Sequence, residues 1–367
     1  MGYVQRREDR PKPWLARYKA PDGRLHSKSF RRKVDAEKWL TLEESKGIRG
    51  EWVDPTAGAI TFGEWSQTWL SGLHSIKPKT LAGYESLLRS RVLPTFGGVE
   101  LRRITTAAVR EWVSAMVDEG LSPARVRQAR QVLHAALDVA VEDGLIARNP
   151  ADRVKPPKVR RRRQLFLTAS QLAALTEAAE SRQDRAGPLV TLLGYSGLRW
   201  GEAVALRWGS VNPRGRRIRV RESATEISGK LDWGTPKTHE VRVIVVPRFV
   251  MDRLGTPGEP DELVFTAPNG GPLRNSNFRR DVWTPACEAS GMPEGLLVHD
   301  LRDTAASLAI SAGASIKAVQ RMLGHASAAM TLDTYGSLFD EDLEVLADRL
   351  DERYGPGADN VVRLPRA

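Results

Sequence analysis

Cysteine is nearly absent: Cys287 stands alone in a chain of 367 residues. One thiol excludes an internal disulfide framework and a thiolate metal cluster, so Cys287 reads as a small buried hydrophobe. Long apolar runs are missing as well. No stretch approaches the length needed to span a bilayer, and the opening "MGYVQRREDRPKPW" lacks the apolar core of a secretory signal, so a soluble cytosolic protein is expected. Acidic residues are too few to balance the basic ones: 45 stand against 56 Lys and Arg, for a formal net charge of +11 and a pI of about 9.9. The natural partner is a polyanion, either nucleic acid or an acidic membrane face. Lysine is scarce, 13 of the 56. Arginine favours bidentate contacts to phosphate and guanine edges, although a GC-rich coding genome produces the same bias.

The length allows two or three domains, each with its own core. The first fifty residues hold fourteen Lys and Arg against seven Asp and Glu, +7 of the total. Within them "WLARYKA" alternates Trp14, Ala16 and Tyr18 with Leu15, Arg17 and Lys19, which is strand periodicity with one apolar and one mostly basic face. "PDG" supplies a turn and "RLHSKSF" a second strand. "VDAEKWLTLEES" then reads as a helix with Val34, Trp39, Leu40 and Leu42 available to pack on the sheet. Arg17, Lys19, Lys28, Arg31 and Arg32 are the cations this module offers to a polyanion such as DNA. Residues 50 to 60 read as a linker.

From Thr61 the pattern turns helical, opening on "TFGE", a capping box of Thr61 and Glu64. Further helices fit "KTLAGYESLLRSRV", "TTAAVREWVSAMVDEG" and "PARVRQARQVLHAALDVAVEDG". The last carries Arg125, Arg127 and Arg130 on its early turns and Val126, Val132, Leu133, Leu137 and Val141 near helical spacing, giving a small bundle with a basic flank. "NPADRVKPPKVRRRRQ", with Arg160 and Arg161, is a poor core and a good linker, and a cationic tether can track a phosphate backbone. "LTASQLAAL" starts another capped helix. Helices then dominate to about Leu350, interrupted by two β-rich runs, "RRIRVRES" and "EVRVIVVP". "FDEDLEVLADRL" places Leu343, Val345, Leu346 and Leu350 at partly helical spacing, suited to docking on a neighbouring protomer or to folding back on its own core.

Several segments place cations and proton donors where packing does not ask for them. Arg199, in "SGLRWGEAVALRW", follows a glycine turn with Glu202 one helical turn on. Lys237 sits in "GTPKTHEVRV", a turn between the β-rich runs. His299 and Arg302, in "HDLRDTAASLAISAG", are three apart at a helix start. His325 follows the Gly324 that ends "SIKAVQRML", and Tyr335 closes "TLDTY". Each alone has an ordinary structural explanation. Together they match what a phosphodiester attacked by a phenol requires: cations on the non-bridging oxygens, a base for the phenolic proton and an acid for the leaving alkoxide. Arg199 and Arg302 suit the first task; His299, Lys237 and His325 suit the others. Grouped carboxylates for a catalytic metal are missing, since Glu202, Asp300, Asp303 and Asp333 are scattered among cations, and His299 and His325 have no third ligand at a recognised spacing. No metal or ATP is expected.

The ordered set "GLRWGE", "TPKT", "HDLR", "LGHAS" and "TLDTYG" closely resembles the signature of the tyrosine recombinases, the phage-integrase family of DNA strand-exchange enzymes. The resemblance is specific over residues 166 to 340. It implies Tyr335 as nucleophile, Arg199 and Arg302 as the clamp on the scissile phosphate, and His299 as base or base partner. Lys237 would be the acid for the leaving 5′ oxygen, His325 a donor to the phosphate, and Glu202 an orienting group. One departure is Asp303, at a position often basic or polar in the family.

The resemblance also implies a mainly α, multidomain fold. An arm-type DNA-binding domain of β-sheet plus helix would occupy 1–55, a helical, SAM-like core-binding domain 61–150 and a basic linker 151–165. An α+β catalytic domain would fill 166–352, with a tail at 353–367. The implied partner is double-stranded DNA at core-type and arm-type attachment sites, bound by a homotetramer in the bacterial cytoplasm, on the nucleoid. A directionality factor and a host DNA-bending protein are further partners of such enzymes. The rivals are a chromosome-resolving recombinase, an enzyme resembling type IB topoisomerases, and a DNA-binding relative without chemistry. The N-terminal module argues against the first, the two modules ahead of the catalytic region against the second, and the complete residue set against the third.

Overall fold

The computed structural model describes residues 2–8, 10–21, 23–49, 52, 54, 56–159, 162, 164–227, 229–235, 241–338 and 342–355. The chain divides into two compact units, Met1–Arg161 and Arg162–Ala367.

The first unit opens on a sheet of three antiparallel strands: β1 (Tyr3–Arg6), β2 (Trp14–Lys19) and β3 (Leu25–Phe30), with β2 central. Tyr3 lies opposite Arg17 and Trp14 opposite Phe30. The alternation in β2 buries Ala16 and Tyr18, against which α1 (Lys33–Ile48) packs Ala36 and Leu40. Trp39 meets Tyr18 edge-on at 5.5 Å, and Trp52 donates its indole N–H to the Tyr18 hydroxyl at 2.6 Å. Two expectations need correcting. β1 was not foreseen, because "YVQR" is too short and polar to show a period. Val34 and Leu42 are exposed; the helical repeat places Ala36 and Leu40 on the inner stripe and turns those two outward.

The helical part begins at α2 (Phe62–Ser71), whose capping box is formed as the sequence indicates: Glu64 N–H donates to Thr61 Oγ1 at 3.3 Å and Thr61 N–H to Glu64 Oε2 at 3.0 Å. α3 (Pro78–Leu87) passes through a π-turn at Leu88–Val92 into α4 (Leu93–Phe96), so the single helix expected over 79–92 is interrupted. Pro94 has no N–H to offer Ser90 four residues back, and a wider turn absorbs the lost bond. α5 (Thr106–Asp118) and α6 (Pro123–Glu142) complete the core, where Trp65 donates its indole N–H to the Ala136 carbonyl at 2.8 Å. Val126, Val132, Leu133 and Leu137 are buried as their spacing predicts. Packing continues past α6. Asn149 donates to Asp138 Oδ1 (2.6 Å) and the His134 carbonyl (3.0 Å), His134 bridges Asp138 and Asp152 at 2.9 Å each, and Ala151 and Val154 are buried.

The second unit starts with α7 (Ala169–Glu180), capped by Thr168 and Gln171, and α8 (Ala186–Ser196). α8 is apolar on nearly every side and lies between α7 and α13 (Asp300–Ser311), as an all-round hydrophobic helix must. Between them come α9 (Trp200–Val204), an antiparallel sheet of β4 (Val211–Asn212), β5 (Arg217–Val220) and β8 (Arg242–Val245), and a hairpin of β6 (Ser223–Ile227) and β7 (Lys230–Gly234). The two β-rich runs pair with each other, Ile218 opposite Ile244. What joins them is the β6–β7 hairpin rather than a bare turn. Helices α10 (Arg248–Arg253), α11 (Asn275–Phe278) and α12 (Thr284–Ala289) precede α13, with another π-turn, Arg279–Trp283, ahead of Pro285. α14 (Ile316–Leu323), α15 (Ala328–Tyr335) and α16 (Asp342–Tyr354) follow. Leu350 on α16 is exposed. Cys287 is half-buried, and desolvation pushes its thiol up to about 11, in keeping with an inert hydrophobe. Among the described residues no helix is long and apolar enough to cross a membrane.

Candidate active site

Arg199 owes its position to a turn. α8 ends at Gly197, which has φ +66°, and a Cβ there would come within 2.6 Å of Leu323 Cδ2. Only glycine suits both conditions. Arg199 then occupies the position just before α9 and Glu202 lies one turn inside it. Glu202 is buried, its side chain 1% exposed. Its carboxylate accepts from the Arg199 N–H and Nη1, both at 3.0 Å, and from Arg242 in a fork, Nη1 to Oε1 at 3.0 Å and Nη2 to Oε2 at 2.6 Å. Burial alone would raise the Glu202 pKa, but hydrogen bonding and charge from Arg242 and Arg199 hold it below the usual carboxylate range.

Arg302, on the first turn of α13, is 4% exposed. It donates Nη1–H to the Gly197 carbonyl at 2.5 Å and Nη2–H to the Leu323 carbonyl at 2.6 Å, tying the turn after α8 to the end of α14. Desolvation, reinforced by Arg199 and Arg242, pushes it down to about 10, so it remains a cation at neutral pH. His299, directly before α13, is exposed by comparison. Partial desolvation and the nearby Arg302 and Arg199 still lower its pKa, against Asp303 and Asp300.

α14 ends at Gly324, with φ +65°, and a Cβ there would lie 2.9 Å from Arg242 Cδ. The turn delivers His325, whose Nδ1 lies 3.0 Å from the buried Thr331 hydroxyl. Desolvation and the charges of Arg302, Arg199 and Arg242 push His325 down to about 4. The imidazole is therefore neutral at pH 7. In the tautomer whose Nδ1 accepts from Thr331, Nε2–H is left as a donor.

Tyr335 ends α15 and is 1% exposed, its ring packed with Ala306, Ile310, Val319 and Leu323. Its hydroxyl donates to Asp303 Oδ1 at 2.5 Å. Burial first, then the Asp303 carboxylate, raises the phenol well above its usual value, with Arg302 opposing.

Six of the seven residues read from the sequence motifs, Arg199, Glu202, His299, Arg302, His325 and Tyr335, are thus drawn to one locality. Lys237 lies outside the described residues, as do Arg160 and Arg161. Of the other cations, Lys19, Lys28, Arg31, Arg32 and Arg127 are exposed; Arg17 and Arg125 are half-buried. Arg130 is half-buried and turned onto the Ala151 carbonyl. Sequence reasoning missed Arg242, Asp300 and Arg162. Arg242 was findable: strand alternation in "VRVIV" puts it on the same face as buried Ile244, while Val241, Val243 and Val245 face out. Asp300 is buried and accepts a fork from Arg162, Nη1 to Oδ1 at 3.0 Å and Nη2 to Oδ2 at 2.8 Å. Nothing in the run "RRRR" distinguishes that arginine from its neighbours.

Against known proteins, residues 165–341 match the phage integrase family, 61–117 the phage integrase N-terminal SAM-like domain, and 6–49 the phage integrase N-terminal domain. The prophage phiRv2 integrase of Mycobacterium tuberculosis is 31% identical over 352 residues, spanning 91% of each chain. The chain belongs to the phage integrase family. It is a tyrosine-type site-specific recombinase, an integrase of a phage or mobile element. The integrase of Mycobacterium phage D29 is 29% identical, over 93% of this chain and 94% of the relative. Among solved structures, a lambda integrase dimer bound to a core site aligns with TM-score 0.60 and 21% identity, over 90% of this chain and 93% of that one. The Tn1549 transposon integrase in complex with a circular intermediate DNA aligns with TM-score 0.66 and 21% identity, over 78% and 99%. The fold class is the expected one: a sheet-plus-helix module, a helical SAM-like domain and an α+β catalytic domain.

Two outcomes follow for this integrase. Glu202→Gln leaves Arg199 and Arg242 without their countercharge, and breaking a buried pair from one side costs about 3–5 kcal/mol. Hydrogen exchange of the α8 amides in the full chain should show the loss; unchanged protection would mean the charge is dispensable. The second outcome concerns acid. Because the folded state lowers the His325 pKa to about 4 from 6.5, folded protein binds that proton less tightly than unfolded chain. The associated stability is complete above about pH 6.5 and is lost as pH falls towards 4, and His299 contributes with the same sign. The thermal midpoint should therefore drop between pH 7 and 4.5, less steeply in His325→Gln; identical slopes would contradict this.

Proposed function

We propose that Tyr335 is the nucleophile of this recombinase, attacking a DNA phosphodiester to form a 3′-phosphotyrosyl link and free a 5′ hydroxyl. The observation that carries this is the convergence of the phenol with Arg199, Arg302, His299 and His325, close enough for their charges to act on one another. Arg199 and Arg302 hold the non-bridging oxygens and the charge that grows on them. His325 donates its Nε2–H to the same phosphate. His299, neutral at pH 7, assists on the side of the phenolic proton. Lys237, on its motif alone, protonates the leaving 5′ oxygen. The guanidinium groups supply the positive charge, so the reaction uses no metal. Because the tyrosyl ester conserves the energy of the broken bond, a second strand's hydroxyl can reverse the attack without ATP.

In this reading the enzyme acts on double-stranded DNA as a homotetramer, exchanging strands in pairs through a Holliday junction within the bacterial cytoplasm. A solved lambda integrase tetramer bound to a Holliday junction aligns with TM-score 0.58 over 88% of this chain, at 22% identity. Residues 1–55 bind a separate arm-type site, residues 61–150 and 166–352 the core site, and the basic linker 151–165 runs along the backbone. Arg125 and Arg127 then serve the core site, and Arg17, Lys19, Lys28, Arg31 and Arg32 the arm site. A directionality factor and a host DNA-bending protein would set the direction of the reaction.

Tyr335→Phe removes one oxygen and keeps the packing. On a nicked suicide substrate run through a denaturing gel, the covalent complex should vanish while core-site binding is nearly unchanged; persistent adduct would move the role elsewhere. A chain starting near Ala59 should still form phosphotyrosine on core-site DNA and fail to join full attachment sites. The 1–57 fragment should footprint a sequence distinct from the core with strong salt dependence. Normal integration by the truncated chain would remove the arm-binding reading.

A further inference from the structure

The contact between Tyr335 and Asp303 has no counterpart in the roles above. Asp303 follows Arg302 directly on α13 and lies one helical turn beyond His299. Among the described residues its carboxylate is the only hydrogen-bond partner of the phenol, at 2.5 Å, the short end of the range for a hydroxyl donating to a carboxylate. The hydroxyl is sealed from solvent while Asp303 is half-buried, so water does not compete at the oxygen. Neither imidazole is a hydrogen-bond partner of the phenol among the described residues. His325 points Nδ1 at Thr331, and His299 is exposed at the start of α13.

We propose that Asp303 is the proton acceptor for Tyr335 in strand cleavage. The inference rests on Tyr335 being the nucleophile. As the Tyr335 oxygen bonds to phosphorus, its proton passes to Asp303 Oδ1, the bond from phosphorus to the 5′ oxygen breaks, and that oxygen takes a proton from the general acid. On rejoining, the incoming 5′ hydroxyl attacks phosphorus and gives its proton back to the group that served as general acid, the bond from the tyrosine oxygen to phosphorus breaks, and Asp303 returns its proton to the departing phenolate. Before attack a carboxylate is too weak a base to ionise a buried phenol, so no phenolate accumulates. Bond formation to phosphorus acidifies the phenolic proton, and its hydrogen-bond partner, at 2.5 Å in the free protein, receives it. The charged groups around the pair are Arg302 and His299 on α13, Arg199 and Glu202 at α9, Arg242 on β8 and His325 after α14. In this arrangement His299, within electrostatic reach of Asp303, assists the carboxylate rather than taking the phenolic proton itself.

Asp303→Asn is the deciding variant, because its amide oxygen still accepts the phenol's hydrogen bond but takes no proton. With the full chain at saturating suicide substrate, adduct formation should slow by roughly 10²–10⁴-fold, the usual contribution of a general base. Core-site affinity should stay within roughly twofold, since only a transition-state interaction is lost. The rate of the Asn variant should climb with pH between 6.5 and 9 as hydroxide takes over, more steeply than that of the wild type. Asp303→His, which restores a base, should recover at least roughly tenfold of the lost rate. Wild-type rates and pH profile in the Asn variant would overturn the proposal, and so would faster cleavage, which would mark the contact as a hold on the resting tyrosine. A loss that His does not rescue, with a pH profile parallel to the wild type, would overturn it too by showing a purely structural role. Adduct through Tyr335 together with a normal Asn variant sinks only the role of Asp303; adduct that survives Tyr335→Phe sinks the nucleophile reading as well.

Discussion

Everything at this site depends on holding three guanidinium groups within electrostatic reach of one buried carboxylate. Glu202 takes hydrogen bonds from Arg199 and Arg242, and Arg302, which these arginines repel, is held by the carbonyls of Gly197 and Leu323. One negative charge does not neutralise three positive ones. The surplus is tolerated because Arg302 is tied by two strong hydrogen bonds to backbone oxygens, and because the imidazoles nearby are kept neutral by desolvation and, secondarily, by the arginine charges. A phosphodiester is the countercharge we propose for this arrangement. The positive charge is in place before the substrate arrives, so little reorganisation is needed as charge develops in the transition state.

The glycine turns are part of the same constraint. Gly197 and Gly324 both take left-handed conformations, and each lies where a side chain would strike a neighbour, Leu323 in one case and Arg242 in the other. They let α8 and α14 end against the arginines, so that the Gly197 carbonyl faces Arg302 and His325 emerges beside Thr331. The tyrosine arrives last along the chain, after α13 and α14 have formed the apolar bed its ring occupies. Ring packing fixes the direction of the hydroxyl, and Asp303 meets it. Arg162 contributes from the other end of the unit by gripping the buried carboxylate of Asp300 and thereby the start of α13.

Much of the molecule was legible in the residues themselves. The capping boxes at Thr61 and Thr168, the bounds of α6 and the buried stripe Val126, Val132, Leu133 and Leu137 follow from short-range rules, because capping and helical periodicity act within one to three turns. The motifs around Arg199, His299, Arg302, His325 and Tyr335 were legible for a different reason: their residue types match a demanding reaction, and their order resembles a known family. What stayed hidden required knowledge of neighbours far apart in sequence. Pairing of Arg242 with Glu202 across 40 residues, of Arg162 with Asp300 across 138 and of Tyr335 with Asp303 across 32 has no local signature. The exposure of Val34 and Leu42 belongs here too, since only the docked sheet decides which stripe of α1 faces inward.

The sequence by itself determined the polyanionic character of the partner, through net charge; the helical elements, through caps and periodicity; and the family, with the reacting groups proposed from it, through residue type and order. Tertiary structure alone decided which carboxylate faces which cation. Asp303 stood out in the sequence only as a departure from a position often basic or polar in the family, yet in the folded chain it meets the phenol. The physical reason is that a hydrogen bond depends on direction and on distances within a few tenths of an ångström. Those are set by how α13 and α15 pack, and packing is a property of the whole core rather than of any segment.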